Sequence, residues 1–349
     1  MIDRTKRLGV VLAALVAACS SDTTGGGDAG PVAPPEWRPV LENLDGTLLS
    51  VWGTSDKDVW AVGGPRGNAG FESLVVRFDG TQWTRLRPGG VETFWWVFGT
   101  GPSDVWLTGE KGRIAHWDGA AFKDFASGTT ATLYGAWAAS PTDAWAVGGT
   151  PEDKNGPQDV LLHWDGAAWK PEALPEALGR VLFKVWGASA DDVYVVGEAG
   201  TIWHRTAGTW KREGQGVAKD RLLTVQGCSA SEVYAVGSRQ VLESDGKGTW
   251  RVVDTPMLLS DVNGVSCGGD PKRVVVVGGG SLKLRFEDGK WIDDFGKKPF
   301  LDLHGAWVDP TGAMWGVGGN FVATPQPNVS RQGVVARYGP GVVPSTLAP

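Results

Sequence analysis

Apolar residues along this chain come in short runs separated by polar, glycine-rich turns, as in LLSVWG at Leu48, VWAVGG at Val59, LVVRF at Leu74 and TFWWVFG at Thr93. No stretch beyond the N-terminus keeps the spacing of an amphipathic helix, and the runs are built from Val, Trp, Leu and Phe, which suit strands. The runs also repeat. WGTSDKDVWAVGG at Trp52 returns as FGTGPSDVWLTG at Phe98, WAASPTDAWAVGG at Trp137, WGASADDVYVVG at Trp186 and QGCSASEVYAVG at Gln226, with weaker copies SCGGDPKRVVVVGG at Ser266 and WVDPTGAMWGVGG at Trp307. A phrase present seven times is not a single active site. Successive copies begin 39 to 49 residues apart, the length of a four-stranded propeller blade.

Each unit predicts the same four antiparallel strands. A first strand leads into a Ser-x-x-Asp turn and a second strand of the form VWAVG. A third strand (RIAHWDG, VLLHWDG, LKLRFEDG) closes on a Gly turn, and the fourth begins at an aromatic: Trp83, Phe122, Trp169, Trp210, Trp250 or Trp291. Trp60, Trp106, Trp145 and Trp315, with Tyr194 and Tyr234, share one slot and are expected to pack between blades. Asp58, Asp104, Asp143, Asp192 and Glu232 share another, where a carboxylate is expected to accept backbone N–H bonds and close the first turn. The seventh unit ends at VVARYGPG without a fourth strand, while EWRPVLENLDG at Glu36 has no partner, and its Trp37 matches Trp83. Residues 36 to 43 are therefore expected to complete the last blade. The fold expected over residues 36–345 is an all-β, seven-bladed β-propeller of four-stranded antiparallel blades, its last blade closed by the N-terminal strand.

These units resemble the repeats of the BNR or Asp-box-like β-propellers, a group related in pattern to sialidase and photosystem II stability-factor propellers. SDGKGTW at Ser244 comes nearest to the Asp-box form, and the other units are read as keeping only Asp-Gly and the aromatic. The resemblance implies the fold far more strongly than an activity, because propellers host unrelated functions.

Composition and charge add the cellular setting. MIDRTKR followed by LGVVLAALVAA has the layout of an export signal over residues 1–18, and VAAC resembles the lipobox of bacterial lipoproteins, which implies lipidation of Cys19. Residues 19–35 then read as the lipidated cysteine and a flexible linker. Ser20 after the cysteine favours the outer membrane by the same resemblance. The chain carries a net charge of −6, and loss of the basic leader makes the remainder more acidic, which argues against nucleic acid as a partner.

Candidate chemistry is sparse. A sialidase-type site would need a Phe/Tyr-Arg-Ile-Pro motif, which is absent, and a spare tyrosine, for which only Tyr338 remains. His116, His163 and His204 fall at matching third-strand positions one blade apart, so they read as packing or turn partners, and no metal or cofactor is expected. Cys228 and Cys267 follow the first strands of adjacent blades and are either a disulfide or two buried thiols. What does not repeat is more informative. Insertions between the second and third strands occur at 64–73, 149–159 and 319–333, all on one face, and nominate Arg66, Phe71, Glu152, Lys154, Phe321 and Arg331 for binding. Trp96 and Lys184 occupy a first-strand position held elsewhere by Ser50, Gly135, Thr224, Gly264 and Gly305, and are expected to face the channel. The function expected is a non-enzymatic, lipid-anchored propeller offering that face to an envelope protein or glycan. The alternative is a glycan-active hydrolase with carboxylates at the channel mouth.

Overall fold

The computed structural model describes residues 34–64, 72–257, 259–321 and 332–348. Among them the chain forms seven antiparallel sheets. The blade-one sheet runs Thr47–Ser55, Asp58–Gly64, Leu74–Phe78 and Trp83–Leu86, and the same meander recurs to the last blade, Asp302–Val308, Met314–Gly319 and Gln332–Gly339. The seven first strands contact one another in sequence, and the first strand of blade seven returns to that of blade one. They form a closed ring around the axis.

The fourth strand of blade seven is Glu36–Asp45, paired antiparallel to Gln332–Gly339 with Trp37 opposite Tyr338. It buries Trp37, Val40, Leu41 and Leu44, all under 7% exposed. The other end of the chain does more than the sequence suggested. Leu347–Ala348 pairs in parallel with Trp83 and Thr84 and makes blade one five-stranded, so the fold extends past residue 345.

The repeated Trp-Gly of the motif is a clasp between blades. A Cβ added to Gly187 would stand 2.6 Å from the Trp137 ring of the preceding blade, and one on Gly227 would stand 2.3 Å from Trp186. Where the glycine is replaced, the facing residue shrinks. Ala138 follows a blade carrying Phe98 in place of Trp, Cys267 follows Gln226, and Val308 follows Ser266, whose hydroxyl accepts the Val308 N–H at 3.0 Å. The sum of the two volumes is roughly kept, as close packing demands.

The second-strand aromatics are core: Trp60 and Trp315 are 0% exposed, Trp145 1% and Trp106 3%. The first-turn carboxylates differ from expectation. Asp58 accepts the Thr54 hydroxyl at 2.8 Å and pairs with Arg77 of the third strand at 2.8 Å. Asp104 meets His116 at 2.6 Å, Asp143 meets His163 at 2.7 Å and Asp192 meets His204 at 2.8 Å. Each of these bases lies on the aromatic beside it, with Arg77 over Trp60 and His163 stacked on Trp145 at 4.1 Å. A carboxylate reaching across two strands satisfies a half-buried base, which a turn cap would leave unpaired. Capping by backbone N–H belongs instead to the turn between third and fourth strands, where Asp79, Asp118, Asp165 and Asp245 each accept two. Blade seven puts such a cap in its first turn, where Asp309 accepts from Thr311 and Ala313.

Cys228 and Cys267 are joined as a disulfide between the first strands of blades five and six, their Cα atoms 5.0 Å apart.

Candidate functional site

The channel is shaped by a bulge. In six blades the first strand slips register by one residue near its start, between Leu48 and Ser50, Phe94 and Trp96, Leu133 and Gly135, Leu182 and Lys184, Val262 and Gly264, and Leu303 and Gly305. The residue left out of the ladder is re-aimed, as bulges do. These are Leu49, Trp95, Tyr134, Phe183, Asn263 and His304, and Leu223 stands at the matching place in blade five. Six of the seven, all but Leu49, line one cavity of about 330 Å³ at the axis.

The start of each first strand pairs with the end of the second, as Thr47 does with Gly64. The cavity therefore opens on the face that carries the turns between second and third strands. Pro151 and Glu152 of the blade-three insertion, Glu198 of a tight turn and Arg221 of a link between blades complete its lining. Trp95 and Tyr134 meet edge to face at 4.8 Å and Tyr134 meets Phe183 at 5.3 Å, so one wall is a continuous aromatic surface. His304 closes the ring, 6.0 Å from Trp95 and 5.8 Å from Phe321. Its Nδ1 donates to Leu49 O at 3.0 Å, since a carbonyl only accepts, which leaves Nε2 unprotonated in the neutral ring. Burial, reinforced by the nearby Lys184 charge, holds this histidine down to about 4.

The structure brings Glu152, Lys184 and Phe321 to this mouth. Lys184 lines the cavity as expected. Trp96 does not. It packs between blades two and three with Trp106 and Leu133, and its ring is covered by the Lys184 amine at 3.5 Å. The reason is the bulge, which aims Trp95 at the axis and turns its neighbour away. Lys154 lies in an adjoining groove of about 630 Å³ with Arg180, Lys219 and Arg221, which meets the axial cavity at Pro151, Glu198 and Arg221. Arg66, Phe71, Arg331 and Cys19 fall outside the described residues. The ring residues Trp95, Phe183, Asn263 and His304 were missed as candidates, although their divergence at one slot of an otherwise regular repeat was visible.

Glu198 accepts the Val181 N–H at 3.1 Å, as Glu110 accepts that of Thr93 in blade two, so both tie a tight turn to the following link. Among the described residues no group of three or more His, Cys, Asp or Glu could hold a metal ion.

No protein-family model matches this chain, and no curated protein matches it. Solved structures do. A streptogramin B lyase superposes with a TM-score of 0.68 at 12% identity, covering 88% of this chain and 98% of its own. YCF48 from Cyanidioschyzon merolae gives 0.63 at 14% identity over 87% and 98%. A structure of YCF48 bound to D1 peptide gives 0.62 at 16% identity over 88% and 97%. At these identities the likeness is one of fold, and the fold of this chain is the seven-bladed β-propeller.

Proposed function

We propose that this chain is a non-enzymatic binding propeller, held at the cell envelope by lipid on Cys19, that offers its loop-bearing face to a protein partner. The observation that carries the reading is the axial mouth. Blade interiors repeat, whereas the seven axial positions hold six residue types and open onto an insertion, a tight turn and a basic groove. Rigid scaffolds with divergent loops at one end are where binding concentrates. That a propeller of similar fold has been solved with a peptide bound agrees with this use. Kinship with the Asp-box group draws support from the Asp245 turn, whose carboxylate accepts the Lys247 and Thr249 N–H groups.

Crosslinking in intact envelopes followed by capture tests the reading. The Trp95→Ala/Phe183→Ala variant is expected to lose the crosslinked species, while Lys57→Ala, in a first turn at the opposite end, keeps it. A correctly folded mouth variant that captures as well as the parent chain sinks the proposal. Membrane release and loss of palmitate labelling in Cys19→Ala test the anchor separately.

A hydrolase reading draws on the carboxylates beside Lys184 and His304 at the same mouth. It requires that Glu152→Gln or Glu198→Gln abolish turnover of a glycan substrate that the parent chain cleaves.

A further inference from the structure

Lys184 is 4% exposed, and its long side chain takes an unusual course. It crosses the first strand of blade three at Gly135, where a Cβ would stand 3.0 Å from Lys184 Cδ. The amine then donates to Tyr134 O at 2.7 Å and rests 3.5 Å above the centre of the Trp96 ring. No carboxylate among the described residues lies within ion-pairing reach of it. Lys283, the other buried lysine, makes a useful contrast. It donates to both Ser281 O and Pro299 O and has Asp293 and Asp294 nearby. Lys283 is spent on structure. Lys184 has three donors, one carbonyl and one ring face to meet them, and a place on the wall of a 330 Å³ cavity.

We propose that the axial cavity binds a carboxylate carried on a flat apolar body, with Lys184 as its counter-ion and Trp95, Tyr134 and Phe183 as its wall. A buried amine with an unused donor is costly, and a carboxylate supplies both the acceptor and the charge. The body must be apolar and flat because the wall is aromatic, and the volume is at the small end of ligand sites. A monoanion fits better than a phosphate. Glu198 on the same lining repels a doubly charged group. The carboxylate has two sources of one chemistry, a free aromatic acid or the terminal residue of a partner chain. The inference rests on the axial mouth being the binding site of this face.

Burial holds the Lys184 amine well below the ordinary lysine range. The neighbouring titratable groups on the cavity are His304, Glu152, Glu198 and Tyr134, with Arg221 at its rim. A bound carboxylate favours the charged amine and raises the Lys184 pKa from that lowered position, a coupling that a merely structural lysine does not show.

The experiment is calorimetry and ligand-observed NMR on the purified chain with phenylacetate, phenylacetamide and benzylamine. Phenylacetate is expected to bind, and to bind less tightly as pH rises, whereas the amide and the amine are not expected to bind. Lys184→Met is expected to weaken phenylacetate by roughly tenfold or more without lowering the unfolding temperature, since an apolar side chain replaces a buried amine. Tighter binding of N-acetyl-phenylalanine than of phenylacetate identifies a chain terminus as the source, and the reverse order a free acid. Absence of phenylacetate binding up to about 10 mM, equal binding of the amide, preference for benzylamine, or unchanged affinity in a folded Lys184→Met each overturns the proposal. Retained phenylacetate binding by a chain that captures no partner leaves this site standing and removes only the protein-binding reading.

Discussion

The blade interior and the axis of this propeller are built from neighbouring residues of the same strands, yet they follow opposite rules. Inside the blades, Trp60, Trp106, Trp145 and Trp315 are the same residue in the same slot, and each is at most 3% exposed. At the axis, Leu49, Trp95, Tyr134, Phe183, Leu223, Asn263 and His304 share one slot and little chemistry. A side chain wedged between two sheets is fixed by the shape of both, so repetition of the sheet repeats the residue. A bulged residue facing a channel meets neither constraint, and it is free to differ from blade to blade. Repetition marks packing here, and its local failure marks the site.

The widest break of that comparison is at the closing strand. Removing residues 36–45 strips blade seven of its fourth strand and exposes the edge of Gln332–Gly339. Trp37, Val40, Leu41 and Leu44 are lost from the core at roughly 1.5–3 kcal/mol each, a total that rivals the whole stability of a domain. The truncated chain is expected to be unfolded or aggregated by circular dichroism and size-exclusion chromatography. Removing Leu347 and Ala348, which add only a two-residue parallel strand to blade one, is expected to shift the unfolding midpoint slightly, and an equal effect of the two truncations would show that closure lies elsewhere.

A narrower break is at the clasp. Gly187→Ala places a methyl 2.6 Å from the Trp137 ring, and overpacking of this kind costs about 1–3 kcal/mol. Trp137→Phe in the same chain is expected to recover part of that loss, because Phe98 facing Ala138 is the chain's own version of the smaller pair. Chemical denaturation of both single variants and the double variant gives the coupling directly, and additive losses would mean that the two residues do not share the space.

The smallest effect expected is a dependence on pH. Burial penalises the charged His204 ring, but the hydrogen bonds it donates to Glu213 and Asp192 outweigh it and raise this histidine above its ordinary 6.5. A group raised in the folded state stabilises it fully below the unfolded value, and that contribution disappears as pH climbs through the folded value. The stability difference between the parent chain and His204→Gln should therefore shrink as pH rises above the ordinary histidine range. A difference that grows instead would show that the ring is held neutral.

Most of the architecture was legible because it is written seven times. Blade count, the four strands and closure by Trp37 all follow from matching positions across units, and chance cannot align them repeatedly. The first-turn carboxylates were misread, since Asp58 and Arg77 are 19 residues apart and local turn chemistry is the only partner a linear reading offers. In blade two the axial site was read one residue out of place. Trp96 and Lys184 stood out by type, and Lys184 does line the cavity, but in blade two a one-residue bulge gives the axis to Trp95 instead of Trp96.

What the sequence by itself determined was thus the repeat and everything the repeat enforces, namely strand order, inter-blade aromatics and the closure of the last blade by the strand that carries Trp37. The tertiary structure alone decided which residues meet across blades. Lys184 reaches the Trp96 ring over Gly135, and His304 bonds to Leu49 O from 255 residues away. Such contacts depend on ring closure, which sets distances between first strands that no spacing along the chain encodes.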